Sequence, residues 1–169
     1  IILAPIVIQK YGFHSLVPEK ILPQALRSLF VTLGVGLYYW AINFIDIADA
    51  TAMVFVAPLI VTALSPAILA EPIGLRRTIA VIIGFIGVLV ILRPTMGGDR
   101  TGYFIALGAG VFIAAYYIAN RRLANEAPIL TSTFYTSILS AIILTPLIPL
   151  FWIMPDIQNF LILSSFSIL

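Results

Sequence analysis

The stretch of sequence that decides the fold is residues 49–94, DATAMVFVAPLIVTALSPAILAEPIGLRRTIAVIIGFIGVLVILRP. Two apolar runs, residues 50–70 and 78–92, flank a short loop of sequence EPIGLRR. The first run has no charged residue and matches the roughly 20 residues that a helix needs to cross a bilayer. The second run is shorter, but the arginines at its two ends can snorkel and so lengthen the apolar column. The stretch therefore predicts a membrane-spanning helical hairpin.

The composition of the whole chain agrees with a membrane protein. Hydrophobic residues make up 62% of the sequence, charged residues only 9%, and the mean hydropathy is +1.13. About a quarter of the residues in a soluble domain are charged, and lipid can cover apolar surface that a small soluble core cannot. The net charge of +2 gives no basic patch for nucleic acid. The chain has no cysteine, which excludes disulfides and thiolate chemistry.

The charges alternate between the two sides of the predicted membrane. Seven basic residues fall on one side and two on the other, where four acidic residues also lie. The seven are Lys10, Lys20, Arg27, Arg76, Arg77, Arg121 and Arg122. The positive-inside rule makes their side cytoplasmic. Because every Lys, Arg, Asp and Glu falls in a predicted loop or at a helix end, we expect no proton relay through an intramembrane carboxylate in this chain.

A weak internal repeat relates the two ends of the chain. Residues 1–6, IILAPI, resemble residues 142–147, IILTPL. The first copy runs toward the cytoplasmic side and the second away from it, so the repeat is inverted. Inverted repeats are typical of transporters, whose substrate site lies where the two halves meet.

Residues 49–94 carry a family resemblance. A turn of acidic and small residues precedes a span with Ala57-Pro58-Leu59 at its middle, and Glu71 closes that span. The next span contains GFIGV and ends in Arg93-Pro94. These features resemble EamA-type proteins of the drug/metabolite transporter (DMT) superfamily. The helix from residue 102, which ends in an arginine pair, resembles the opening helix of that family's second repeat. Ala70 and Pro72 depart from the family pattern.

The resemblance implies an all-α polytopic membrane protein with ten spans, a helical bundle of two inverted five-helix repeats. Residues 1–94 would then be the end of the first repeat (helices 2–5), and residues 102–169 the start of the second (helices 6–8). We therefore expect the chain to be part of a longer protein. The implied location is the cell inner membrane, and the implied cargo is a small metabolite: amino-acid-like, nucleoside-like or cofactor, or drug-like.

Enzymatic chemistry has no sequence support. The single histidine, His14, has no neighbouring cluster of metal ligands, and no serine has a basic partner at motif spacing. We expect no catalytic residue, no metal site and no cofactor.

Two aromatic clusters with an asparagine are candidates for substrate binding. Tyr39, Trp40 and Asn43 share a helix face at spacings of one, three and four residues, and the same residue types recur at Tyr116, Tyr117 and Asn120. A functional interpretation is a stacking platform with an amide that selects the ligand. A belt of aromatic residues at the membrane interface explains the same pattern, because both clusters lie near a charged helix end.

Pro58 and Thr62, in the middle of a span, complete the candidate set. Proline removes a backbone donor and frees a carbonyl, which predicts a kink at this point. The kink could open a cavity and flex during alternating access, or it could be static and packed against neighbouring helices. The sequence leaves both interpretations open.

Two structural interpretations accompany these sites. Ala80, Gly84 and Gly87 form a small-residue stripe that predicts close helix packing, either within the chain or in a homodimer. Asp49 stands where the N-cap of a helix is expected.

The sequence thus predicts a carrier that sits in a lipid bilayer, moves a small molecule by alternating access and binds no nucleic acid. The alternative is a receptor or scaffold bundle that does not transport. A scaffold would fill its centre with large apolar side chains, whereas a carrier needs a polar cavity open to one side.

Overall fold

The computed structural model describes residues 21–69, 74–95, 97–124 and 129–147 of the chain. The described elements are all helical, which confirms the predicted all-α class. They are α1 (Ile21–Ala41), α2 (Ile47–Val54), α3 (Ala57–Leu69), α4 (Leu75–Leu92), α5 (Arg100–Leu123), α6 (Ile129–Leu144) and a 3₁₀ turn at Thr145–Leu147. The predicted repeat at residues 1–6 and the last apolar run from residue 157 lie outside the described residues.

Three described segments are long and apolar enough to cross a membrane. They are Ile21–Ala41, Ile47–Ile68 and Arg100–Leu123, with 21, 22 and 24 residues. At 1.5 Å of rise per residue each exceeds the roughly 30 Å of a hydrocarbon core. The protein is therefore a multi-pass membrane protein.

The second of these spans is broken near its middle, where α2 ends and α3 begins. Val56 donates its N–H to the carbonyl of Met53 at 3.2 Å, a three-residue bond, and regular bonding resumes where Ile60 donates to Val56 at 3.0 Å. Pro58 has no N–H with which to bond the carbonyl of Val54. The predicted kink is confirmed. Pro66, which the sequence analysis did not single out, lies inside α3 and removes a further helix bond.

Helix α5 is the centre of the described bundle, because α1, α2 and α3 all pack against it. Most buried residues of α5 are small, and Ala106, Ala109 and Ala114 are fully buried. A Cβ atom built on Gly110 would lie 3.0 Å from the carbonyl oxygen of Met53. Backbones approach this closely only where side chains are small, so α5 supplies the close packing of this bundle.

The small-residue stripe predicted on α4 has no such partner. A Cβ atom on Gly84 or Gly87 would meet nothing within 4 Å in the described part of the chain. Close packing of this stripe, within the chain or in a homodimer, therefore stays a prediction. The sequence pattern alone could not show that α5, with its alanines and Gly110, holds the central position.

The predicted N-cap role of Asp49 is also wrong. The residue that precedes α2 is Asp46, whose side chain makes no capping bond, while Asp49 lies inside the first turn and is completely buried. Its carboxylate accepts hydrogen bonds from the Thr95 N–H at 2.7 Å and from the Tyr103 hydroxyl. Asp49 therefore ties α2 to the loop after α4 and to α5.

Candidate functional site

A buried arginine occupies the end of the bundle opposite to Asp49. Arg27 lies in the second turn of α1 and is only 2% exposed. It precedes Ala41, the last residue of α1, by about 21 Å along the helix axis. The expectation that every charge falls in a loop or at a helix end is thus wrong for Arg27, which lies inside the helix and between other helices.

The Arg27 guanidinium joins three helices through hydrogen bonds. Nη1 donates to Asn120 Oδ1 of α5 at 3.1 Å and to Ser132 Oγ of α6. Nη2 donates to the Ser132 carbonyl and to Thr136 Oγ1, also on α6. Helix α6 packs against α1 rather than along α5, so the guanidinium is a direct link between α5 and α6.

A polar seam extends from this arginine along the contact of α1 with α6. Thr32 donates its hydroxyl to Ser140 Oγ at 2.8 Å, two turns of α6 beyond Ser132. The seam has a sequence signal that the analysis missed: polar residues recur every three or four positions on both helices. They are Gln24, Arg27, Ser28 and Thr32 on α1, and Ser132, Thr136 and Ser140 on α6.

A polar cavity of about 410 Å³ opens beside the guanidinium, and we call it the Arg27 cavity. Hydroxyl, amide and guanidinium groups line part of its wall, and apolar side-chain surface lines the rest. Its lining residues are Arg27, Tyr116, Asn120, Ala124, Ser132, Thr133, Thr136 and Ser137. The volume falls within the range of small-molecule sites, and the polar groups converge from α1, α5 and α6.

An apolar groove of about 560 Å³ lies on the other side of α1, between α1, α3 and α5. Each of these three helices also carries residues predicted to bind substrate. The groove is walled by Leu26, Phe30, Leu64, Val111 and their apolar neighbours, and none of the eight predicted site residues lines it. At its end Arg122 donates to the Ile68 carbonyl, which joins α5 to α3.

The structure brings two of the eight predicted residues into the Arg27 cavity. Tyr116 lines the cavity, and Asn120 both lines it and binds the guanidinium. Tyr117, the next residue on α5, is 47% exposed. The second aromatic cluster is therefore divided between the cavity and the outside of the described bundle.

The first aromatic cluster lies at the opposite end of α1. Tyr39 and Trp40 are 63% and 56% exposed. Asn43 donates its side-chain N–H groups to the carbonyls of those two residues, at 3.1 and 3.0 Å, so its amide is bonded to its own helix. Asn43 also borders a recess of about 440 Å³ that includes Thr95.

The remaining two predicted residues belong to the broken span. Pro58 is exposed at the start of α3, and Thr62 is buried one turn later. Ser65, on the same face, is fully buried and donates to the Val61 carbonyl at 2.7 Å. The part that these residues play in binding stays a prediction.

The fold and the two cavities define a class: a helical membrane protein with a polar cavity between its spans. Comparison with known proteins gives the family. Residues 1–93 match the EamA-like transporter family, and the chain belongs to that family. The predicted membership of the DMT superfamily is thereby confirmed, as is the prediction that the chain is not an enzyme.

Individual relatives cover most of this chain. It is 27% identical, over 92% of its length, to the S-adenosylmethionine uptake transporter of Rickettsia prowazekii, and spans 53% of that protein. It is 28% identical, over 78% of its length, to the riboflavin transporter of Vibrio cholerae, and spans 41% of it. The chain thus spans about half the length of the curated relatives it matches. No solved structure matches the chain significantly.

Proposed function

We propose that the protein to which this chain belongs is a carrier that moves a small metabolite across the cell inner membrane by alternating access. Residues 1–94 and 102–169 belong to two repeats of inverted orientation. The observation that carries this proposal is the position of the Arg27 cavity. Helix α1 of the first repeat contributes Arg27, and helices α5 and α6 of the second repeat contribute the polar groups around it. Substrate sites of inverted-repeat transporters lie at such a junction.

The chemistry of the cavity favours a carrier over a scaffold. A bundle that serves only as a scaffold can join its helices with neutral hydrogen-bonding groups, since removing a charge from water costs several kcal/mol. In a carrier the same groups can exchange their hydrogen bonds with those of a passing solute. The Arg27 bonds to α5 and α6 would then hold this end of the bundle closed until the solute replaces them.

The cargo that we propose is a nucleoside-like cofactor or a similar flat-ring metabolite. S-adenosylmethionine and riboflavin, which the two relatives carry by name, each contain a flat nitrogen heterocycle. Tyr116 in the cavity wall offers an aromatic face for such a ring, and Asn120 offers an amide for its edge. Amino-acid-like and drug-like solutes remain alternatives.

Counterflow in proteoliposomes tests the proposal. The full-length protein is loaded with a pooled set of metabolites that includes S-adenosylmethionine and riboflavin, and exchanged species are identified by mass spectrometry. Saturable exchange of one compound class is the expected result. Absence of exchange from correctly inserted protein, with and without an imposed ion gradient, would favour the receptor or scaffold alternative.

Accessibility of the cavity gives an independent test. Ser137 lines the cavity, whereas Ile138, the next residue on α6, is 41% exposed and does not line it. A cysteine at position 137 should react with a membrane-impermeant thiol reagent from one side only, and saturating cargo should slow the reaction. A cysteine at position 138 is the matched control, and cargo should not protect it. Equal behaviour of the two cysteines would contradict a cargo-accessible cavity.

A further inference from the structure

The charge of Arg27 has no anionic partner among the described residues. Each acceptor of its four hydrogen bonds is neutral: a side-chain amide, two hydroxyl groups and a backbone carbonyl. The described residues that line the cavity include no aspartate or glutamate. Buried arginines in proteins are almost always paired, because desolvation of an uncompensated charge is costly.

One donor of the guanidinium is also left open. An arginine has five N–H groups, and the four bonds to Asn120, Ser132 and Thr136 involve the two terminal nitrogens. The remaining donor, Nε–H, is buried and has no partner in the described part of the chain. A buried donor without an acceptor is destabilising, and it favours a ligand that supplies one.

We infer that the Arg27 cavity binds a carboxylate group of the transported solute, an inference that rests on the proposed carrier function. A carboxylate is planar and presents two oxygens with the spacing of two neighbouring guanidinium N–H groups. One oxygen accepts from Nε–H, and the other replaces Thr136 Oγ1 as the acceptor at Nη2. The Ser132 hydroxyl, whose oxygen accepts from Nη1, provides a further donor in the same wall.

This arrangement connects binding with movement. The carboxylate replaces a hydrogen bond that now holds α1 to α6, so the solute loosens the contact between the two repeats as it neutralises the buried charge. A solute of the same shape without the carboxylate lacks both effects.

Two other anions could occupy the site and are distinguished by the test. Glu126 lies between α5 and α6 in the sequence, outside the described residues, and its carboxylate is one alternative counter-charge for Arg27. The phosphate of an anionic lipid is the second alternative, since guanidinium groups also bind phosphate in two-point fashion. Each of these occupants predicts a different response to the probes below.

The first experiment measures binding with simple probes, whatever the cargo. Thermal unfolding of the full-length protein in neutral detergent is recorded with millimolar benzoate and acetate, and with the uncharged benzamide and acetamide as matched controls. We expect the carboxylates to raise the unfolding temperature and the amides to leave it unchanged. Arg27→Gln should abolish the response, and Arg121→Gln, at an exposed arginine of the same end of α5, should keep it.

A second variant keeps the inference testable where Arg27→Gln does not fold. Ser137→Glu places a carboxylate in the wall of the cavity and supplies the missing counter-charge from within. We expect this variant to fold and to lose its response to benzoate. A Ser137→Glu protein that responds like the wild type would overturn the inference, as would a wild type that does not distinguish benzoate from benzamide.

The alternative occupants give their own results. A response to benzoate that appears only after Glu126→Gln would show that the chain itself neutralises Arg27 and would overturn the inference. If phosphatidylglycerol stabilises the protein through Arg27 and benzoate does not, the cavity is a lipid site. This result would also overturn the inference.

Transport assays separate this inference from the proposed function. We expect S-adenosylmethionine to exchange in counterflow about tenfold more efficiently than its decarboxylated analogue, the cost of losing a charged hydrogen-bonding group. If both compounds exchange equally well and benzoate does not stabilise the protein, the carrier function is supported and the carboxylate site is overturned. A benzoate response that depends on Arg27, without exchange of any solute, would keep the site and contradict the carrier.

Discussion

Tyr103 donates its hydroxyl to the fully buried carboxylate of Asp49, although the two residues lie 54 positions apart in the chain. The same hydroxyl accepts from the Gly98 N–H at 3.2 Å, and the same carboxylate accepts from the Thr95 N–H. One carboxylate and one phenol thus fix α2, α5 and the loop between α4 and α5 to one another. This cluster holds the end of the bundle that is remote from the Arg27 cavity.

Replacement of Asp49 by asparagine should destabilise the protein. The amide has nearly the size of the carboxylate, but its oxygen is a neutral acceptor. Its NH₂ group is a donor and would face the Thr95 N–H or the Tyr103 hydroxyl, which are donors too. We expect a loss of about 1–3 kcal/mol. Thermal unfolding in detergent measures the effect. Asp46→Asn is the matched control, because Asp46 is exposed and its side chain makes no capping bond to α2; it should leave the unfolding temperature nearly unchanged.

Replacement of Gly110 by leucine should impair folding. The side chain would start 3.0 Å from the Met53 carbonyl oxygen, which belongs to backbone and cannot rotate away. Overpacking of this kind costs about 1–3 kcal/mol or more. Gly84→Leu is the comparison, because a Cβ atom there meets nothing within 4 Å among the described residues. Yield of folded protein by size-exclusion chromatography measures both; equal losses would show that a helix outside the described residues, or a second copy, covers Gly84.

The bond between Thr32 and Ser140 should contribute measurably to the contact of α1 with α6. Thr32→Val and Ser140→Ala each remove one partner of a 2.8 Å hydrogen bond. A double-mutant cycle should give a coupling energy of about 0.6 kcal/mol, the average for such bonds between membrane helices. Ser137→Ala combined with Thr32→Val is the control pair and should be additive. A coupling energy of zero for the first pair would exclude the bond from the native state.

Replacement of Asn120 by alanine should lower transport while the protein still reaches the membrane. The change removes the α5 acceptor of Arg27 and one polar group of the cavity wall. We expect a loss in counterflow rate of about tenfold or more, which corresponds to one hydrogen bond to a charged group. Normal transport by this variant would contradict the assignment of the cavity.

The first aromatic cluster can be tested with the same assay. If Trp40→Ala and Asn43→Ala reduce transport while protein levels stay normal, the result supports the predicted stacking platform at that end of α1. Reduced protein levels would instead support a belt at the membrane interface.

The sequence predicted the spans and the kink because these depend on local properties. An apolar run of sufficient length defines a span wherever it packs, and Pro58 lacks its N–H in any environment. The sequence could not predict the role of Arg27, since its partner Ser132 is 105 residues away. An arginine just before an apolar run is also an ordinary topology signal. The N-cap prediction for Asp49 was wrong for the same reason. Its role as an acceptor depends on Thr95, 46 residues away, whereas the local sequence pattern resembles a cap.

The division of the candidate site residues has a related cause. The spacing of Tyr39, Trp40 and Asn43 predicts a shared helix face, but Asn43 lies in the turn after α1. Spacing also does not show which face another helix covers. The equivalent pattern on α5 was informative because Asn120 meets the buried guanidinium. A search for polar residues repeated at helical spacing, on α1 and α6 together, would have located that junction.

The break between α2 and α3 has a consequence for how force passes through the molecule. Both parts of the span rest on α5, and at the break the main chain of Met53 and Val54 lies directly on Gly110, with no side chain between them. The span therefore does not act as one rod from membrane face to membrane face. Helices α2 and α3 instead contact α5 as two separate segments. A displacement of α3 near Ile68, where Arg122 of α5 binds it, therefore need not displace α2 near Asp49.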